Sequence, residues 1–295
     1  VLIYVGAIIA VLFTVLPIFF IEEPRELKSE NNDAVVQQKS SIKDMVESIL
    51  PLSGFLIYGI YVIVGKLFGL TVAGDIFGLD YVECACVIIE ILAILAVLFN
   101  VTRSSEDNNQ FQKILLAHSF TWWGVQTMNI YMFFYVVNII TGIAGTEQTV
   151  NSMAFLVRDL IGAILPVLVL NVIAQKAGMA KTHTGSILLM ALGYGLIYFF
   201  GANIYVFFAS LVIVGIGWAS LVSLPFAIMS ERVDQSKMGL YMGIFNLSVV
   251  LPQLVASFKM GEVVNAAADK SIIFAICAVC LLISGILWIA VKDKK

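Results

Sequence analysis

The sequence predicts an all-α membrane protein, and three observations predict it. The chain is 60% hydrophobic and 13% charged, with a mean hydropathy of +0.98. A soluble domain of 295 residues needs more polar surface than that to cover its core. The apolar residues gather into continuous runs of about 20, the length of a helix that crosses the hydrocarbon layer. Membrane β-strands would be about ten residues long and alternate in polarity, which these runs do not. The third observation is the placement of Lys and Arg, which falls almost wholly on one side of the resulting topology.

Nine membrane segments are expected, at residues 1–21, 49–74, 79–100, 114–140, 150–174, 184–200, 204–229, 238–258 and 271–291. The chain opens on Val1 inside an apolar run, with no charged leader region or cleavage site. Residues 1–21 therefore read as a membrane helix rather than a signal peptide, and the absent Met reads as a piece of a longer protein. Residues 22–48, rich in Glu, Asp, Lys, Ser, Asn and Gln, read as a solvated loop with one amphipathic turn. Segments 49–74 and 79–100 form a hairpin spanning 49–100, and 101–113 is a second polar loop. Residues 114–295 hold six further segments joined by short turns. With the 22–48 loop placed in the cytoplasm, only Lys259 and Lys270 fall outside, while Lys66 and Arg158 lie within the membrane. The other Lys and Arg residues are all cytoplasmic, and so is the C-terminus.

A net charge of −3 gives no field for nucleic acid. Cys84, Cys86, Cys277 and Cys280 all sit in apolar runs. Cys277 and Cys280 have C-x-x-C spacing but no second ligand pair, so all four read as packed thiols and no metal is expected. His118 and His183 are far apart in sequence, and neither a phosphate loop nor a nucleophile elbow occurs. No enzyme activity and no cofactor are expected.

The informative residues are polar groups at membrane depth, which are costly unless they face a cavity or a partner. In 114–140, Trp122, Gln126, Asn129 and Phe133 share one helix face, with Ser119 nearby. An indole beside two amides suits a sugar; the alternative is interhelix packing through the amides. Arg158, followed by Asp159, keeps its charge at any depth. It either pairs with a carboxylate whose proton is exchanged or forms a static ion pair, and Asp159 points about a quarter turn away. In 238–258, Gly239, Gly243, Asn246 and Gln253 share a face, with a kink expected at Pro252. The G-x-x-x-G pair of Gly239 and Gly243 permits a close helix contact. Asn246 and Gln253 either border a cavity or lock neighbouring helices. Segment 204–229, with Gly215, Gly217, Trp218, Ser220, Ser223 and Pro225, reads as a small, kinked helix. Lys66, Glu83 and Glu90 in the hairpin read as a structural ion pair of Lys66 with one of the two carboxylates, or as a proton relay.

Two stretches carry a family resemblance. Residues 215–230, Gly-Ile-Gly-Trp-Ala-Ser-Leu-Val-Ser-Leu-Pro-Phe-Ala-Ile-Met-Ser, resemble the tenth helix of sucrose and maltose transporters. These belong to the glycoside–pentoside–hexuronide branch of the major facilitator superfamily. Residues 237–253, Lys-Met-Gly-Leu-Tyr-Met-Gly-Ile-Phe-Asn-Leu-Ser-Val-Val-Leu-Pro-Gln, resemble its eleventh helix. Phe120-Thr121-Trp122 and Val157-Arg158 are similar to its seventh- and eighth-helix patterns.

The resemblance implies that 1–21 is the sixth helix and 114–295 the C-terminal six-helix bundle of a major facilitator fold, with 49–100 an extra hairpin inserted in the central loop. It implies a proton-coupled symporter of a disaccharide or related glycoside in the bacterial inner membrane. Arg158 would act in substrate binding and proton coupling. Asp159, the second candidate for coupling, departs from the small residue the family often has there. The expected partners are the sugar, the lipid bilayer and the N-terminal helices of the same protein, with no nucleic acid. A sodium-coupled or non-sugar transporter, or a non-transporting sensor or scaffold on the same fold, stays open.

Overall fold

The computed structural model describes residues 42–70, 72–74, 76, 78–140 and 146–294, which belong to one compact unit. The expected helix at 1–21 and most of the 22–48 loop lie outside the described residues. The helices are α1 (Ile42–Ile49), α2 (Ser53–Phe68), α3 (Tyr81–Leu98), α4 (Glu106–Ile139), α5 (Glu147–Leu165), α6 (Asn171–Ala177), α7 (Met179–Phe200), α8 (Ile204–Ser230), α9 (Met238–Phe258), α10 (Met260–Ala266) and α11 (Ile272–Ile289). Among the described residues, seven stretches are long and apolar enough to cross a membrane: Val46–Phe68, Tyr81–Leu98, Glu147–Ala177, Met179–Phe200, Ile204–Ser230, Gln235–Ala266 and Ile272–Ile289. They correspond to seven of the expected segments. The eighth is α4, whose 34 residues span about 51 Å; its apolar positions are interleaved with buried polar ones.

Helix α4 is the axis of the bundle. It packs on α9 and α11, while α7 packs on both α8 and α11, and α5 lies against α8. One apolar cluster takes Phe111 to Phe120 of α4, together with Leu224, Ile228 and Trp288. A second takes Val125 to Ile140, with Tyr194, Phe207 and Phe274. Trp123 packs on both clusters, so their junction falls at the middle of α4.

The expected loop at 101–113 is corrected by the structure. Helix α4 begins at Glu106, capped by the Ser105 hydroxyl, which accepts from the Asn108 N–H. Glu106 and Asp107 stay exposed, but Asn109, Gln110 and Gln112 are buried rather than solvated. The Asn109 amide donates to the Val97 carbonyl at 2.9 Å, and Gln112 donates to the Glu47 carbonyl at 2.6 Å. Gln110 accepts from the Lys292 N–H at 2.9 Å. These amides satisfy backbone groups that helix ends leave open. The end of the expected 22–48 loop is corrected for the same reason: it is helical from Ile42, and Ser48 is buried against α4.

At the same end of the bundle, Arg232 donates to Asp107 at 3.0 Å and to the Lys292 carbonyl at 2.7 Å. Asp293 accepts from the Ala180 N–H at 2.7 Å and so caps α7, which starts at Met179, five residues before the expected 184.

The pairing expected for Lys66 is also corrected. Gly69, in the left-handed region at φ 66°, ends α2, so Lys66 lies in its last turn. Its ammonium sits over the Phe258 ring, 4.3 Å from the centroid. Glu83 pairs instead with Lys259 at 2.7 Å, and Lys259 also reaches Glu262 and the Gly78 carbonyl, each at 3.0 Å. Glu90 forms no ion pair among the described residues and accepts the Gly54 N–H at 2.9 Å. Gly54 allows this approach, because a Cβ there would stand 2.6 Å from the Cys86 carbonyl oxygen.

Helices α7 and α8 cross closely at Gly193, where a Cβ would meet the Val214 side chain at 2.8 Å and the Ser210 carbonyl at 3.1 Å. Gly195, two residues on, has open space. Gly193→Leu is expected to lower stability by about 1–3 kcal/mol or more through overpacking, while Gly195→Leu, which only gains helix propensity, leaves it unchanged or slightly raised. Thermal unfolding of the two variants in detergent checks this.

Candidate functional site

The residues expected on one face of α4 do share its less buried side. Trp122, Gln126 and Asn129 are half-buried and Phe133 is 40% exposed, whereas Val125, Met128 and Met132 are sealed in the core. Ser119 turns away: it is fully buried, and its hydroxyl donates to the Leu116 carbonyl.

Arg158 is the centre of the arrangement. It is buried on α5, and each part of its guanidinium has a partner. Nη1 donates to Asn129 Oδ1 at 2.6 Å. Nε and Nη2 both approach Asp159 Oδ1 at 2.8 Å. The guanidinium carbon stands 4.2 Å from the Trp218 ring centroid and 4.8 Å from that of Phe155. A planar cation that cannot deprotonate is thus held by one carboxylate, one amide and two aromatic faces. Asp159 proves to be its ion-pair partner although the two are adjacent in sequence. The pair straddles the edge of the bundle, since the Arg158 side chain is 6% exposed and that of Asp159 51%.

Trp218 reaches this position through Gly162. A Cβ at residue 162 would stand 2.5 Å from Trp218 Cδ1, so only glycine leaves room for the indole. Four residues on, Pro166 opens a π-turn over Pro166–Leu170, in which the Asn171 N–H returns to the Pro166 carbonyl. Proline has no N–H to continue the α ladder, and the wider turn absorbs the break.

The aromatic contacts continue into α4 and α9. Trp122 meets Trp218 edge-on, with centroids 6.3 Å apart. Its indole N–H donates to His118 Nε2 at 2.8 Å, and His118 stacks on Phe245 at 4.6 Å. One connected path therefore runs from Arg158 on α5 through Trp218 on α8 and Trp122 on α4 to Phe245 on α9. Asn246 follows Phe245 and is exposed, and Gln253 is half-buried beyond it. Neither side chain makes a hydrogen bond among the described residues, nor does that of Gln126. The uncovered face of α9 also includes Gly239 and Gly243. A Cβ at either would meet nothing within 4 Å, so the expected close helix contact is not seen among the described residues.

Arg158, Asn129, Asp159 and Trp122 are thus brought together, while Asn246 and Gln253 stand apart from the Arg158 cluster. Sequence reasoning gives no binding role to Trp218, Phe155 or His118. His118 is within its reach, one turn before Trp122 on the same face. Trp218 is visible as the only large ring in a run of small residues, but its contact with Arg158 is long-range.

Chemically, the cluster offers polar partners beside aromatic faces. Asn129 retains its amide N–H groups, Asp159 retains Oδ2, and Gln126 retains its whole amide. Three half-buried or exposed polar groups beside an indole can take up hydroxyls from an uncharged ligand. The Arg158–Asp159 pair is neutral in sum and adds no net attraction for a charged one.

A family model described as MFS/sugar transport protein matches residues 96–248. Among solved structures, the POT family transporter PepTSo is similar with a TM-score of 0.51 at 16% identity, over 61% of this chain and 36% of that one. An auto-inhibited POT family peptide transporter is similar with a TM-score of 0.52 at 16% identity, over 63% of this chain and 39% of that one. The chain spans well under half the length of both, and the likeness is one of fold. No curated protein matches.

Asn129→Leu strips a buried guanidinium of its amide partner and is expected to destabilise the bundle by about 1–3 kcal/mol. Gln126→Leu removes no internal hydrogen bond and should shift stability by less than about 0.5 kcal/mol. Paired melting curves in one detergent decide between them, and equal effects would remove Asn129 from the support of Arg158.

Proposed function

Since this chain belongs to the MFS/sugar transport protein family, we propose that it supplies one half of a secondary transporter that moves a sugar, most simply a disaccharide or related glycoside, together with a proton. The observation that carries this reading is the buried Arg158, whose N–H groups are divided between Asn129 and a half-exposed carboxylate, Asp159.

That division supports a coupling scheme. With Asp159 ionised, Nε and Nη2 of Arg158 are occupied. A proton arriving on Asp159 neutralises the carboxyl and weakens its hold, and two N–H donors then become available to sugar hydroxyl oxygens. Asn129 steadies Nη1, and the Trp218 and Phe155 faces keep the guanidinium in place while its partners change. Trp122, whose N–H is committed to His118, offers its ring surface to the C–H face of a sugar. Departure of the proton re-forms the ion pair and displaces the hydroxyls. Sugar and proton therefore favour the same state, which is the linkage a symporter requires. The opposite wall of the path would come from the N-terminal helices of the protein. An uncharged sugar suits the neutral pair better than a charged solute would.

Lysine cannot divide donors between Asn129 and Asp159 in the planar fork that arginine uses. Arg158→Lys is expected to abolish uptake driven by a pH gradient in proteoliposomes while circular dichroism and elution volume stay unchanged; wild-type accumulation would free Arg158 of the coupling role. Asp159→Asn should permit downhill sugar flux but lose the acceleration by an inward proton gradient. Acceleration by a sodium gradient in the wild type would reassign the coupling ion. Trp122→Ala is expected to weaken sugar binding about tenfold, and unchanged affinity would return Trp122 to packing.

A further inference from the structure

His118, one turn before Trp122 on α4, takes no direct part in the coupling scheme. It is 2% exposed, and among the described residues its one polar contact is at Nε2, which accepts the Trp122 indole N–H at 2.8 Å. Nδ1 is buried without a partner among the described residues. An indole nitrogen only donates, so Nε2 must present a lone pair and the imidazole proton sits on Nδ1. The ring stacks on Phe245 of α9, with centroids 4.6 Å apart and planes 19° from parallel. An apolar ring would fill this place without the cost of burying an imidazole, so packing alone does not account for a histidine here. What the histidine adds is an acceptor at one point, and the neighbouring indole occupies it.

We propose that His118 is the positioning residue of Trp122: by accepting the indole N–H, it holds the indole so that a ligand meets the ring and not its polar edge. Trp122 is half-buried on the more open side of α4. An indole there with a free N–H would turn it towards a ligand hydroxyl. With the N–H withdrawn, the indole offers only its π surface, which suits C–H groups, and hydroxyls are left to Asn129, Gln126 and Asp159. The same bond steadies Trp122 against Trp218, which it meets edge-on with centroids 6.3 Å apart and planes at 76°. Trp218 in turn lies 4.2 Å from the Arg158 guanidinium carbon. His118 thus acts through Trp122 on the ring surface and on the support of the cation. Because Phe245 backs the imidazole, α9 shares in that hold. As applied to a sugar, this role rests on the function proposed above; the hold on the indole itself does not.

The test has two readouts on the whole protein, N-terminal helices included. Ultraviolet resonance Raman spectra, each with the spectrum of its Trp122→Phe counterpart subtracted, isolate the Trp122 band that reports indole N–H hydrogen bonding. Wild type is expected to show a bonded indole and His118→Phe a weaker or free one. His118→Gln, whose amide oxygen reaches about as far as Nε2, should show a bonded one again. In calorimetric titrations with sucrose and with maltose, His118→Phe should weaken binding about tenfold, and His118→Gln should restore most of the loss. Placed on Trp122→Ala, His118→Phe should change affinity less than about twofold, since a residue that acts through the indole then has nothing left to position. Should His118→Phe fail to fold, as judged by elution volume, His118→Leu carries both readouts with the same expectations. A Trp122 band unmoved by loss of the imidazole overturns the proposal, and so does an equal loss of affinity with and without Trp122. Bands as expected in a protein that binds neither sugar would uphold the hold on the indole and count against the proposed sugar alone.

Discussion

One buried cation organises the middle of this bundle. A guanidinium at membrane depth keeps its charge and carries a desolvation penalty that the surrounding groups must offset. Each neighbour of Arg158 can be understood from that constraint. Asp159 supplies the opposite charge, Asn129 an oxygen from α4, and Trp218 a ring face from α8, so that three helices are fixed to one side chain. Gly162 provides clearance for the indole, and the π-turn at Pro166 follows within one further turn of α5. Because Asp159 is the partner that stands half in the open, it is also the one whose occupancy can change without dismantling the rest.

The membrane class, the order of the segments and the more open face of α4 are legible in the sequence because they depend on local composition and period alone. What is not legible depends on contacts distant along the chain. Residues 106–112 read as a loop because they are polar, yet Asn109, Gln110 and Gln112 are polar in order to answer backbone groups of Val97, Lys292 and Glu47. Sequence depth pairs Lys66 with the wrong carboxylates because it assumes that α2 continues past Phe68, and a single left-handed glycine stops it. Arg158 can be singled out by its burial cost, but its platform, Trp218, lies far along the chain and only the packing of α5 on α8 joins them.

Two kinds of buried polarity coexist in the chain. Around Arg158 the polar groups are paired with one another and leave a few exposed atoms at an open edge. Beside the hairpin, Glu90 and Trp123 are enclosed and only partly paired. The first pattern suits groups that exchange partners during work. The two lie in different parts of the bundle.

The long start of α4 has a mechanical consequence. Because Asn109 and Gln112 fasten it to the last turn of α3 and to the stretch before α2, the hairpin is bolted to the helices that follow at its polar end, while Lys259 and Glu83 bolt it at the other. It is held to the bundle at both ends rather than hung from a single hinge. In the transport cycle proposed above, the hairpin would travel with the bundle as part of a single lever, and a spectroscopic label on α2 or α3 would report the tilt of the whole rather than a local flutter.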